Sequence, residues 1–234
     1  MYEELIREVA DYHGDLIRNI QTIRVSQNLF DDLGDAAAQK VAIAAEAQER
    51  IASDAPLITR PFDYGTVITY PFAEFNGHAT RFSDGLAYGV WYGSLELETT
   101  VYETVYHRHR FLQDAFPSLD REILNERRVF QVRCDAILLD LRGKEKREPR
   151  LVERGSYAFT QPFGAYLQAQ GTNGLLVKSA RCKGMNAALF RPGVLSQVRD
   201  VCHLTYRSNP SRDLATVERT PGETWLEIRP STLV

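Results

Sequence analysis

The chemistry of this 234-residue chain starts from Glu103, which sits in Thr100-Val101-Tyr102-Glu103-Thr104-Val105-Tyr106. That stretch is mostly apolar and β-branched, and a carboxylate set in it is partly buried and needs a purpose. On a helix its neighbours are Thr99, Tyr106 and His107. One reading makes it a structural carboxylate bonded to His107 or Arg110, and the other makes it a functional one. Arg81, in Thr80-Arg81-Phe82-Ser83-Asp84-Gly85, precedes a turn. Its guanidinium can fork two hydrogen bonds to a phosphate, which a lysine cannot copy; the alternative is a surface salt bridge. Tyr92 ends an aromatic segment just before a helix start, where its ring can stack on a planar heterocycle and its hydroxyl can orient a ribose. The alternative is ordinary core packing. Alternation turns Tyr88 and Tyr92 one way and Trp91 the other. Ser179 follows a buried strand, at the edge where binding loops collect. Arg181 and Lys183 add positive charge beside it, and Asn186 either fixes the loop or binds a ligand. The alternative for each of these is a polar loop residue.

Several common chemistries lack their residues. There is no G-x-x-x-x-G-K-[ST] loop, and Gly85, Gly89 and Gly93 do not make a G-x-G-x-x-G between strand and helix. A G-x-S-x-G elbow is missing. His107 and His109 are two apart on one expected helix and point to different faces, a poor metal pair. Cys134, Cys182 and Cys202 are odd in number with no CxxC spacing, which argues against a disulfide framework and a zinc site. No metal is expected.

The elements that must position these residues come in two blocks. Over residues 1–55, Leu5, Val9, Tyr12, Leu16, Ile20 and Ile23 follow spacings of four and three, predicting a helix. Leu33, Ala37, Val41, Ala44 and Ile51 predict a second after the cap Asp31-Asp32. Together they form an N-terminal helical hairpin, docked on the body or serving as a homo-oligomer or partner arm. Residues 56–234 form the second block. Strands are expected at Thr66–Tyr70, Tyr88–Tyr92, Arg128–Arg133, Ala136–Asp140, Leu175–Val177, Ala187–Phe190, Val198–Tyr206 and Thr224–Ile228. Helices are expected at Leu95–Ala115 and Ser156–Gln170, the latter ended by Gly171. Residues 143–154 read as a charged surface loop. Strands outnumber helices without alternating with them, so the fold class is α+β.

The bulk properties are those of a globular protein: 44% hydrophobic, 25% charged, net charge −3. Residues 1–55 hold eleven acids and five bases, and the remainder twenty acids and twenty-three bases. A mildly basic body suits a small anion, and the excess is too small for a nucleic-acid surface. No apolar run approaches the ~20 residues that span a bilayer. The acidic start lacks a secretory signal's basic head, so a cytoplasmic location is expected.

Arg81, Tyr92, Glu103 and Ser179, with their flanks, resemble the RES domain family, named for its Arg, Glu and Ser. The likeness lies in R-F-x-x-G, a Y-G-S strand end, E-T-T-x-x-E on the next helix, and G-x-x-x-x-S-A-R followed by N-x-x-x-F. It covers roughly residues 64–206; the acidic hairpin and the tail after about 207 lie outside it. The resemblance implies an ADP-ribosyltransferase-like mixed β core. It implies an NAD-consuming toxin of a bacterial toxin–antitoxin pair, partnered by a protein antitoxin. It implies cleavage of the nicotinamide–ribose bond by water or phosphate, with protein ADP-ribosylation as the rival. A non-enzymatic nucleotide-binding interaction module is the rival from another class. The implied roles are charge stabilisation for Glu103, phosphate grip for Arg81 and nicotinamide-riboside contact for Tyr92. Ser179 would contact ribose or phosphate, with Arg181 and Asn186 as supporting binding residues. The order Arg, Tyr, Glu, Ser differs from the Arg–Ser–Glu order of standard ADP-ribosyltransferases, so roles follow RES proteins alone.

Overall fold

A computed structural model describes residues 2–21, 65–72 and 79–233. The first expected helix is instead a strand, β1 (Val9–Gln21). Tyr12, Leu16 and Ile20 are spaced by four, which suits a helix but is also a multiple of the strand period of two. Ala10, Tyr12, Leu16 and Ile20 therefore share one strand face and pack into a single core cluster. Pairing along all thirteen residues with β3 (Ile123–Asp140) decides between the two periods. The second expected helix, with its arm role, lies outside the described residues.

The segment Thr66–Tyr70, expected as strand, is also corrected. It is a one-turn helix, α1 (Gly65–Thr69), running into a 3₁₀ turn at Tyr70–Phe72. Tertiary anchoring overrides its β-branched composition: Val67 is buried, and its carbonyl accepts the indole N–H of Trp91 at 2.9 Å. The expected breaks within residues 128–140 disappear too. The long β3 carries β1 on one edge and β6 (Leu195–Asn209) on the other, so Cys134-Asp135 stays in the ladder.

The remaining elements are β2 (Trp91–Ser94), α2 (Leu97–Ala115), α3 (Thr160–Ala169), β4 (Gly174–Lys178), β5 (Met185–Leu189), β7 (Leu214–Thr220) and β8 (Glu223–Ile228). The α+β class holds, with a sheet-dominated architecture. The strand order is β1-β2-β5-β4-β3-β6-β7-β8, and the extra β1–β3 pairing joins the first five into a closed ring. Strand alternation divides the core. Trp91, Leu176, Ala187 and Leu189 pack with Leu16 and Phe130. Tyr92, Val177 and Ala188 face the other way, against Phe82 and Phe163. Val101, Val105 and Tyr106 of α2 pack on Val129, Leu204 and Val217 in a third cluster. Among the described residues no helix is long and apolar enough to cross a membrane.

Candidate active site

Helix α2 rises from the end of β2, and its apolar face fixes Glu103 over the sheet. The carboxylate meets donors from two other elements. Ser179 Oγ, just past β4, and Asn186 Nδ2, on β5, each donate to Glu103 Oε1 at 2.7 Å. Asn186 is itself fixed, because its Oδ1 accepts Ser94 Oγ at 2.6 Å. Ser94 and Asn186 are register partners across the β2–β5 ladder. Two hydrogen bonds on one oxygen hold the carboxylate in a fixed orientation. Among the described residues Glu103 Oε2 has no hydrogen-bond partner, and Glu103 lines a cavity of about 330 Å³. That volume lies at the low end for ligand sites, ~300–1,000 Å³.

Ser179 is buried and faces the carboxylate. Its Oγ also accepts the backbone N–H groups of Arg181 at 3.0 Å and Cys182 at 3.2 Å. Its one proton goes to Glu103, so Ser179 helps orient that carboxylate. Arg181 is 3% exposed. Its guanidinium donates to the carbonyls of Leu233 and Arg154, both at 2.9 Å, and lies 3.3 Å over the Tyr106 ring. These contacts tie the Ser179 turn to the C-terminus. The turn also needs Gly184, where a Cβ would fall 1.7 Å from Thr99 Oγ1 on α2.

Arg81 lines the same cavity from a different element. It sits in the tight Thr80–Ser83 bridge, and its NH1 donates to the carbonyls of Glu153 at 3.0 Å and Leu151 at 3.3 Å. Its guanidinium lies 5.1 Å over the Tyr157 ring. The charged segment 143–154 is thus two short 3₁₀ turns whose carbonyls hold this arginine. Burial pulls its pKa down, against the opposing pull of Tyr157 and Glu103.

Tyr92 builds the Arg81 turn as well as lining the cavity. Its hydroxyl accepts the Phe82 N–H at 3.0 Å and donates to Thr80 Oγ1 at 3.1 Å. Burial raises its pKa, so the phenol stays protonated. Tyr88 Oη donates to the Phe82 carbonyl at 2.6 Å. Gln161 Nε2 on α3 donates to the carbonyls of Thr80 at 3.0 Å and Ser83 at 3.3 Å. Helix α3 approaches this turn at Gly164, where a Cβ would lie 2.1 Å from the Phe82 carbonyl oxygen.

Glu103, Arg81, Tyr92 and Asn186 therefore line one cavity, Ser179 lies directly behind Glu103, and Arg181 buttresses the Ser179 turn. His107 also lines the cavity. Its pKa is lowered mainly by burial, against Glu103 and with help from Arg181, Arg81 and Arg110, so it is neutral at pH 7. The sequence reading missed Arg18 and Asn19 of β1 and Tyr157 on the cavity wall. Arg18 carried the same signal that exposed Glu103, a charge inside the apolar run Leu16-Ile17-Arg18-Asn19-Ile20.

The family model described as the RES domain matches residues 49–209. The chain belongs to the RES domain family. The RES-matched region holds Arg81, Tyr92, Glu103, Ser179 and Asn186, while β1, β7 and β8 lie outside it. No curated protein matches the chain. Among solved structures, it is similar to a chain of the "M.tuberculosis MbcT-MbcA toxin-antitoxin complex", at 13% identity and a TM-score of 0.47. That match covers 87% of this chain and 88% of the other.

Proposed function

We propose that this RES protein consumes NAD by cleaving the bond between nicotinamide and its ribose, as a glycohydrolase or phosphorylase, within an ADP-ribosyltransferase-like core. The observation carrying this reading is the Glu103 carboxylate, fixed through Oε1 by Ser179 and Asn186 in a cavity shared with the Arg81 guanidinium. Breaking the glycosidic bond sends its electron pair to the pyridinium nitrogen, so nicotinamide leaves neutral and the ribose carbon becomes oxocarbenium-like. A preorganised carboxylate stabilises that positive charge far better in an enclosed site than in water. Glu103 Oε2, without a hydrogen-bond partner among the described residues, faces that carbon or its neighbouring hydroxyl. Arg81, anchored among the described residues through NH1, offers its remaining N–H groups to a phosphate oxygen. Tyr92 presents its ring to the nicotinamide riboside. Water or phosphate then forms the new bond to the ribose carbon, and water's released proton passes to solvent.

The family further supports the role of toxin in a toxin–antitoxin pair, with a protein antitoxin as partner. The test is incubation of purified protein with NAD carrying an adenine label, with and without inorganic phosphate. Free ADP-ribose, or its 1-phosphate when phosphate is present, supports cleavage. Label on protein assigns transfer to a side chain instead, and intact NAD after long incubation supports a non-enzymatic nucleotide-binding module.

A further inference from the structure

The cavity holds a second guanidinium that the roles above leave unused. Arg18 lies on β1, outside the residues matched by the family. β1 pairs with β2 at Ile17–Ser94, and the next residue, Arg18, lines the cavity. Its NH1 donates to the Tyr92 carbonyl at 2.7 Å, and its guanidinium lies 5.0 Å from the Trp91 ring centre. Among the described residues no carboxylate pairs with it. Its Nε is enclosed and, among the described residues, has no hydrogen-bond partner. Nε and NH2 form one edge of the guanidinium, the edge that grips an oxyanion with two parallel bonds.

An enclosed cation without a counter-charge is costly to keep. Burial and the like charge of Arg127 lower the Arg18 pKa to about 10, which leaves it protonated at neutral pH. The charges acting on Arg81 are Tyr157, Glu103, Arg181 and Tyr92. The like charge acting on Arg18 is Arg127, and both guanidiniums line the one cavity. Arg127 cannot take over the anion, because Nε and NH2 donate to Asn19 Oδ1 and O at 2.6 and 2.7 Å. That pair of bonds holds β1 in place beside the Arg18 edge.

We infer that Arg18 is a phosphate-binding residue of this cavity, supplied by a strand outside the family-matched region, and that its Nε–NH2 edge takes the oxygens of a phosphate group. The phosphate belongs either to the nucleotide or to free inorganic phosphate entering as acceptor. The inference rests on reading the cavity as a nucleotide site. The test uses calorimetric titration of the full chain with ADP-ribose and, separately, with inorganic phosphate, for wild type, Arg18→Met and Arg18→Lys. The melting temperature of the unliganded protein is the fold control.

Wild type is expected to bind a phosphate-bearing ligand, and Arg18→Met to bind it at least tenfold more weakly without a lower melting temperature. Arg18→Lys, with charge but no fork, falls between. Loss for ADP-ribose alone assigns the nucleotide's phosphate, and loss for inorganic phosphate alone assigns the acceptor. Equal affinities in wild type and Arg18→Met overturn the inference while leaving the nucleotide reading intact. Binding of inorganic phosphate but not ADP-ribose, lost in Arg18→Met, sinks the nucleotide reading and keeps the phosphate site. Wild type binding neither ligand overturns the inference. If Arg18→Met does not fold, Arg18→Lys decides: a tenfold loss supports the site, and wild-type affinity overturns it. Failure of both to fold makes Arg18 structural and also overturns it.

Discussion

Ser179 Oγ lies 2.7 Å from Glu103 Oε1, a hydrogen bond joining residues 76 positions apart in the chain. The same oxygen accepts two backbone N–H groups, so the serine is held by its own turn before it meets the carboxylate. Removing it should disturb the acid and the turn together. Ser179→Ala is expected to lower the turnover of NAD about tenfold or more. It should also destabilise the fold by about 1–3 kcal/mol, because the Arg181 and Cys182 N–H groups lose their acceptor. Turnover assays and denaturant unfolding check both effects; unchanged turnover with reduced stability would make Ser179 purely structural.

Arg81 tests substrate grip. Its NH1 is taken by the Leu151 and Glu153 carbonyls, and among the described residues its other N–H groups have no hydrogen-bond partner. Arg81→Lys keeps the charge and loses the fork. The expected result is a KM for NAD raised about tenfold with a smaller change in kcat. An unchanged KM would confine Arg81 to holding the 143–154 segment.

How much of this was legible in the sequence differs by residue. Glu103 stood out because a carboxylate in a β-branched helical run contradicts its surroundings, and its apolar neighbours do place it over the sheet. Trp91 and Tyr92 alternate into opposite clusters as the strand period requires. Asn186 and Ser179 could be placed near each other, but nothing local says that both donate to one oxygen, since that depends on how β4, β5 and α2 meet. Residues 9–21 misled for a stated reason: spacing by four satisfies both a helix and a strand, and only the pairing partner β3 distinguishes them. The β7 strand was missed, and the charged 143–154 segment looked like solvent-facing loop, although Leu151 is fully buried and its carbonyls grip Arg81.

The approach of α3 to the Arg81 turn gives a mechanical test. Gly164→Ala puts a methyl 2.1 Å from the Phe82 carbonyl oxygen, a backbone atom that cannot swing aside. The expected cost is about 1–3 kcal/mol of stability, with weaker NAD binding because the Arg81 turn shifts. Wild-type stability would show that the helix moves without consequence.

His109 supplies a pH test of the fold. It is 6% exposed, and burial lowers its pKa from 6.5. The unfolded chain therefore binds a proton more readily than the folded one as pH falls through about 6.5, and stability declines across that window. In His109→Gln this part of the decline should vanish, so the melting temperature changes less between pH 7 and pH 5.5. Parallel profiles for the two proteins would contradict the assignment.

Glu103 carries the proposed chemistry. Glu103→Gln keeps an amide oxygen to accept Ser179 and Asn186, so the fold should persist while the negative charge is lost. The decisive measurement is the rate of nicotinamide release from NAD by wild type and by this variant, with matched melting temperatures. A fall of about 10² to 10⁴ is expected for a carboxylate that stabilises the reacting centre. Release at the wild-type rate from folded Glu103→Gln would contradict the mechanism.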